Sequence, residues 1–481
     1  MNTPSPVARP GGVLAVLAIA GIVASLMATL VMPLLGELPQ LLHTTSSNAT
    51  WVVTITLLVG AVITPVAGRL GDLYGKRRIL LASIVSLVAG SLVCAVATSI
   101  VPMIIGRGLQ GAGVGIIPLG ISALRDLLPP ERLGAAIALI SSSLGIGAAM
   151  GLPLSAAVVE YSNWRGLFWG SAALAALVGV LIFAIIPDTP NSGGTGRFDV
   201  LGAIGLGAGL VSLLLAISKG AAWGWTSASI LGLFVTAVVL LLVWGWWELL
   251  VDAPLVDLRV TARPQVLLTN AASVVVGIAM YSQSLVMPQL LQLPTATGYG
   301  LGQSMMAMGL WMAPAGVVMM LISPVGAKLS AARGPKFTLV IGCLIIAFGY
   351  AASMALMGST WGMLAVTVII SAGTGFAYGA MPALIMGAVP VSETAAANSF
   401  NTLMRSVGTS AAAAVIGAVL AQMTVSMGGH AIPTESGFRV ALLIGCGVAV
   451  LGAAISATIP NRRTPDFSEP TISAEPVAVR V

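Results

Sequence analysis

Apolar residues along this chain fall in long blocks separated by short polar connections, without the narrow apolar stripe of a surface helix. A helix rises 1.5 Å per residue, so about 20 apolar positions cross the ~30 Å of hydrocarbon in a bilayer. Fourteen blocks reach that length: 13–35, 51–70, 79–98, 101–124, 134–158, 165–187, 200–218, 227–249, 265–291, 303–327, 337–357, 361–388, 395–423 and 437–459. The pattern predicts an all-α polytopic membrane protein with about fourteen transmembrane helices. The first block is read as a retained span, because no convincing small-residue cleavage site follows it.

The polar connections test that count. If the N-terminus is cytoplasmic and the spans alternate, 16 of the 21 Lys and Arg residues fall on the inner side. Only Arg165, Lys219 and Arg439 fall outside, and Arg107 and Arg405 lie within spans. This asymmetry supports an even number of spans with both termini in the cytoplasm.

The chain also repeats itself. "TPVAGRLGDLYGKRRIL" (64–80) aligns without gaps on "SPVGAKLSAARGPKFTL" (323–339). Pro65 matches Pro324, Gly75 matches Gly334, Arg69 pairs with Lys328 and Arg77 with Lys336. Further on, "GAGVG" (111–115) answers "SAGTG" (371–375), and "PPERLGAA" (129–136) answers "PVSETAAA" (390–397). Two halves in the same orientation are a known transporter plan. The expected organisation is a cytoplasmic N-terminus (1–12), a six-helix bundle (13–187), two additional central helices (200–249) wedged between the halves, a second six-helix bundle (265–460) and a disordered cytoplasmic tail (461–481).

Composition agrees. The 481 residues are 57% hydrophobic and 7% charged, with net charge +6 and a mean hydropathy of +1.02. The bases sit in short loops between spans, which reads as orientation in the membrane and excludes a nucleic-acid partner. Cys94, Cys343 and Cys446 lie inside apolar blocks without metal-ligand spacing, and read as packing residues.

Five charges crowd into 64–80: Arg69, Asp72, Lys76, Arg77 and Arg78. Gly68 and Gly71 allow two helices to approach closely. Asp72 suits the N-terminus of a neighbouring helix, where orphan N–H groups and the dipole favour an anion; it could equally pair with Arg77 or with a base of the other half. The plain alternative is a cytoplasmic anchor. The second copy has Ala331 where Asp72 stands, so any latch made by this acid belongs to one half only.

These residues resemble the major facilitator superfamily, specifically its fourteen-helix drug/proton antiporter branch, over nearly the whole chain. Gly68, Leu70, Asp72, Gly75, Lys76, Arg77 and Leu80 stand where that family's loop 2–3 pattern expects them. "IIGRGLQGAGVG" (104–115) resembles its fourth-helix pattern, "RFDVLGAIGL" (197–206) and "PLVDLRV" (254–260) the flanks of its extra helices, and "NSFNTLMRSVGTS" (398–410) its thirteenth helix. The resemblance implies the major facilitator fold, a gating role for Gly68, Asp72, Gly75, Lys76 and Arg77, and a coupling role for Arg107 and Gln110. For Arg107, a structural hub tying helices together is the alternative.

Two departures bear on mechanism. In "GIGAAMGLPLSA" (145–156), Leu152 replaces the branch's usual proline, with Pro153 following. In the first helix, Met27 occupies the place of the branch's aspartate, two residues before Thr29. No carboxylate falls at mid-membrane depth: Glu37, Glu160 and Glu248 lie near span ends, and His43 and His430 fall in outer loops. Intramembrane proton carriers are ordinarily Asp, Glu or His.

A substrate pocket is expected near the midplane between the halves. Its candidate lining residues are Met27, Thr29, Asn270, Tyr281, Gln283, Trp311, Met312, Tyr378, Asn401 and Arg405, with helix packing or lipid contact as the alternative for each. Asn398, Asn401 and Arg405 share a helix face at i, i+3 and i+7, facing either the cavity or the cytoplasmic loop. Without an acid in the pocket, neutral or anionic amphiphiles suit it better than cations.

The expected function is therefore export of a hydrophobic or amphipathic small molecule, drug or metabolite, across the cell membrane by alternating access. Exchange for protons is one reading; a lipid or metabolite transporter without proton coupling is the other, and a non-transporting sensor or scaffold is a distant third. No catalytic chemistry, cofactor or metal is expected. The expected partners are the substrate, membrane lipid and protons, with the protein monomeric.

Overall fold

The computed structural model describes residues 10–32, 34, 37–161, 163–188, 197–427 and 430–460. The expected tail and the first nine residues of the N-terminal segment lie outside them. Among the described residues, fourteen helices are long and apolar enough to cross a membrane. They are α1 (Pro10–Thr29), α2 (Trp51–Tyr74), α3 (Lys76–Ala95), α4 (Ile100–Leu127), α5 (Pro130–Tyr161), α6 (Arg165–Ile185), α7 (Val200–Trp223) and α8 (Ala228–Leu250). The rest are α9 (Pro264–Gln292), α10 (Met305–Arg333), α11 (Pro335–Leu356), α12 (Thr360–Met386), α13 (Thr394–Gln422) and α14 (Glu435–Ala457). A short hairpin joins α13 to α14, pairing Thr424–Met427 with His430–Pro433.

The polar residues that bound the apolar blocks begin the helices. Asp199, Ser227, Ser304, Ser359 and Thr434 each accept, through a side-chain oxygen, the amide N–H three residues on. Each bond satisfies one of the four orphan donors of a helix start.

Two expected boundaries shift. The first span ends at Thr29, not residue 35. The charged stretch 69–78 is not a loop at all. Helix α2 runs through Arg69 and Asp72 to Tyr74, and α3 starts at Lys76. Gly75 alone turns the chain, at φ 96° and ψ 132°. Gly334, its partner in the repeat, joins α10 to α11 in the same way, at φ 87° and ψ 153°. Only glycine visits this region without a Cβ clash. The repeat seen in sequence is thus a repeated hinge.

Helices α1–α6 enclose apolar cores built around residues such as Leu17, Leu87 and Leu124, while α9–α14 enclose cores around Val286, Ile346 and Phe438. Two seams join the bundles: α2 lies along α13, and α10 lies along α5. The repeat makes these seams equivalents, since α2 corresponds to α10 and the start of α5 to the start of α13. Small residues permit the second contact, where Gly309 meets Pro153 and Gly316 meets Gly145 and Ala149. The additional helices are not between the bundles. Helix α7 lies against the outside of the α2–α13 seam, and α8 packs on α7 with most of its apolar surface outward.

Candidate functional site

At the Gly75 end, the α2–α13 seam is polar. The Asp72 carboxylate accepts the Ala395 N–H at 3.2 Å and the Ala396 N–H at 2.9 Å. These are the first-turn amides of α13, which no intrahelical carbonyl can satisfy. Asp72 has no exposed surface. It therefore does what an anion at a helix N-terminus does, and the helix belongs to the other bundle. Gly68 brings the backbones this close: a Cβ there would lie 2.4 Å from Ser399 Oγ and 2.7 Å from the Ala395 carbonyl. Arg125, near the end of α4, adds a third bond between the bundles by donating to Thr394 Oγ1.

The bases of the motif turn elsewhere. Lys76, 1% exposed, pairs with Asp126 on α4 at 2.6 Å and donates to the Ser122 carbonyl. Arg77 pairs with Asp188 at 2.9 Å and lies over the Phe183 ring. Asp72 thus does not pair with Arg77. The glycine hinge puts Asp72 and Arg77 on different helices, and Arg77 points at α6. In the second copy Ala331 is exposed, and the α10–α5 seam carries no counterpart of the Asp72 bonds among the described residues.

Deeper in the first bundle, Arg107 is 1% exposed and has no carboxylate partner among the described residues. Its guanidinium donates to the Met27 carbonyl at 2.9 Å, the Val52 carbonyl at 3.2 Å and Gln110 Oε1 at 2.6 Å. Gln110 passes the chain on, donating to Ser91 Oγ at 2.8 Å. Four helices are tied by one cation. At the position where the resemblance leads one to look for an acid, Met27 contributes its main-chain oxygen, while its side chain is buried in the bundle core. Thr29 ends α1 and packs against Gly151 of α5. Neither side chain reaches the space between the bundles.

Three of the candidate binding residues do meet between the bundles. Tyr378, Asn401 and Arg405 line a narrow cavity with Asn398 from one side and Ile117, Ile121, Ser141 and Leu144 from the other. Its volume is about 10 Å³, space for one water in this arrangement. Arg405 lies over the Tyr378 ring, 4.4 Å from its centroid. Asn401 is fixed by donating to Asn270 Oδ1 at 2.9 Å and Ser273 Oγ at 2.7 Å. The face bearing Asn398, Asn401 and Arg405 therefore looks into the cavity. Asn270 lies instead on the wall of a wider cleft, about 210 Å³, lined also by Arg69, Asp252, Asp257 and Glu393.

The other candidates are scattered. Trp311 donates to Gln303 at 3.1 Å and meets Trp361 edge-on at 4.9 Å, and Met312 packs on the same core. Gln283 reaches the Thr367 carbonyl at 3.5 Å. Tyr281 is half-buried on α9. Cys94, Cys343 and Cys446 are free thiols.

Some residues escape a reading by motif. Asp199, on "RFDVLGAIGL", caps α7 and also accepts the Trp247 indole N–H at 3.1 Å, while Glu248 accepts the Val256 N–H. The two acids thereby tie the additional helices to the wall of the wider cleft. Asp126 signals itself only as an acid beside Arg125 at a span end.

The fold thus pairs two six-helix bundles, with a polar latch on one seam and a cavity between the halves. The model of the Major Facilitator Superfamily matches residues 17–413, and the chain belongs to that family. It is 28% identical over 330 residues to the uncharacterized MFS-type transporter YhcA of Bacillus subtilis (strain 168), covering 66% of this chain and 61% of that one. The chain thus spans about three fifths of that relative's length. It is 26% identical over 378 residues to the multidrug transporter protein MdtP of the same organism, covering 78% and 69%. Among solved structures, the human organic anion transporter MFSD10 (TETRAN) shares the fold, with a TM-score of 0.66 and 14% identity over 95% of this chain and all of that one.

Proposed function

We propose that this protein is a secondary active transporter that exports a hydrophobic or amphipathic small molecule across the cell membrane by alternating access. The observation that carries the proposal is the Asp72 latch. A carboxylate of one bundle holds the first turn of a helix in the other, at one of two equivalent seams. Such a contact exists only while the halves are together at that end, so it biases a two-state equilibrium. The distribution of Lys and Arg supports a cytoplasmic position for the latched end, with Gly68, Gly75, Lys76 and Arg77 proposed to shape the gate. Relatives named for multidrug transport support export of drug-like amphiphiles.

Two readings of the driving force stand. Proton exchange follows the branch that the chain resembles, with Arg107 and Gln110 in the coupling role. Transport of a lipid or metabolite without proton coupling is favoured by one observation: Arg107 is held by carbonyls and Gln110, and among the described residues no carboxylate pairs with it. Uptake of a fluorescent amphiphile into proteoliposomes, with and without an imposed pH gradient, tests both. Gradient-driven uptake supports antiport, uptake indifferent to the gradient removes it, and absence of uptake removes the transport assignment.

A further inference from the structure

An arginine side chain inside a membrane span is costly to insert and is ordinarily repaid by a partner or a function. Arg107 is held by two main-chain carbonyls and Gln110. Arg405 is held differently. It lies 11 residues into the 29-residue α13, about 16 Å from the helix start at 1.5 Å per residue, near mid-span. No described carboxylate forms an ion pair with it. Its guanidinium instead lies over the Tyr378 ring at the wall of the cavity between the bundles.

The cavity's other features match one kind of ligand. No acid lies among its lining residues, and Arg405 is the one charged side chain there. Ile117, Ile121 and Leu144 supply an apolar wall from the first bundle. Asn398, 2% exposed, lines the same space, and its Oδ1 has no hydrogen-bond partner. A buried polar atom left unbonded is costly, and a hydroxyl or N–H on a bound molecule would satisfy it. The Arg405 backbone is itself held in place, since its carbonyl and Cγ pack into the space left by Gly277 of α9. The guanidinium is thus presented on a fixed helix, stacked on an aromatic face, with its planar fork available for an oxyanion.

We propose that the transported substrate is an amphipathic organic anion whose carboxylate or equivalent oxyanion is bound by Arg405, with its apolar body against the first bundle. The proposal rests on the transporter reading above and specifies its substrate class. Tyr378 positions the guanidinium, and the cavity, nearly closed in this arrangement, opens for the ligand as the halves separate.

The test uses the full chain in nanodiscs for binding and in liposomes for transport. The probes are a dansyl-labelled C11 fatty acid, its uncharged primary amide and the matching quaternary amine. The wild-type protein is expected to bind the carboxylate at least tenfold more tightly than the amide, and the amine least. Arg405→Gln is expected to reduce the carboxylate-to-amide affinity ratio at least tenfold, and Arg405→Lys to reduce it less, because the charge remains and the fork is lost. Equal wild-type affinity for carboxylate and amide, or preference for the amine, overturns the proposal whatever the variants do. An unchanged ratio in Arg405→Gln also overturns it. If Arg405→Gln does not fold, the wild-type ratio and Arg405→Lys decide. Transport of the amide without preference for the carboxylate overturns the anion assignment alone, whereas transport of none of the three probes overturns the transporter reading as well.

Discussion

Replacing Asp72 with asparagine isolates the latch. The carboxylate accepts two backbone N–H groups at 3.2 and 2.9 Å from the first turn of α13. Hydrogen bonds to a charged group contribute about 1.5–3 kcal/mol each. Asparagine keeps one acceptor oxygen, sets an NH₂ against the other donor, and loses the charge that the helix terminus favours. The closed arrangement should therefore lose about 2–3 kcal/mol. At 1.4 kcal/mol per decade, that moves the equilibrium between closed and open by roughly 30- to 140-fold. Spin labels at Tyr74→Cys and Val391→Cys report it, in a background lacking the three native cysteines. These positions flank the seam and are 50% and 52% exposed. The expected result is a short-distance population in the parent protein, and a major longer-distance population in Asp72→Asn, accompanied by slower transport with substrate still bound. An unchanged distance distribution together with an unchanged transport rate would refute the latch.

Two further substitutions test the frame around it. Gly75→Ala forces a Cβ onto a backbone at φ 96° and should cost roughly 1–2 kcal/mol, read as a lower apparent melting temperature in detergent; no change would mean that the hinge relaxes freely. Arg107→Met removes the donor from the Met27 and Val52 carbonyls and from Gln110, and should cost about 2–3 kcal/mol at ~1 kcal/mol per bond. A full loss of transport with an unchanged melting temperature would show that Arg107 acts in coupling rather than in holding the bundle together.

Parts of the site could be read before any coordinates. The alignment of 64–80 on 323–339 picked out Gly75 and Gly334, and both prove to be single-residue hinges. Asp72 could be matched in advance to a helix N-terminus, because its chemistry permits few other buried partners. Its rival pairing with Arg77 was equally open from sequence. The hinge at Gly75 settles that question, by sending Arg77 to Asp188, just beyond the end of α6. Arg107 was conspicuous as a base in an apolar block, but two of its three acceptors are main-chain carbonyls, and main-chain atoms leave no trace in a sequence pattern.

Sequence by itself determined the spans, their even number and the twofold plan. Each of these follows from a one-dimensional quantity: apolar length against bilayer thickness, the side on which bases fall, and identity at a fixed offset. The tertiary structure decided what faces what. Met27 and Thr29 pack within their own bundle, whereas Tyr378, Asn401 and Arg405 line the cavity between the two. Helices α7 and α8 lie outside the α2–α13 seam and not between the bundles. In a membrane a helix can be apolar all round, since lipid and protein interior are equally apolar. Hydrophobic periodicity then no longer marks the inner face, and only the packing of one helix on another assigns it.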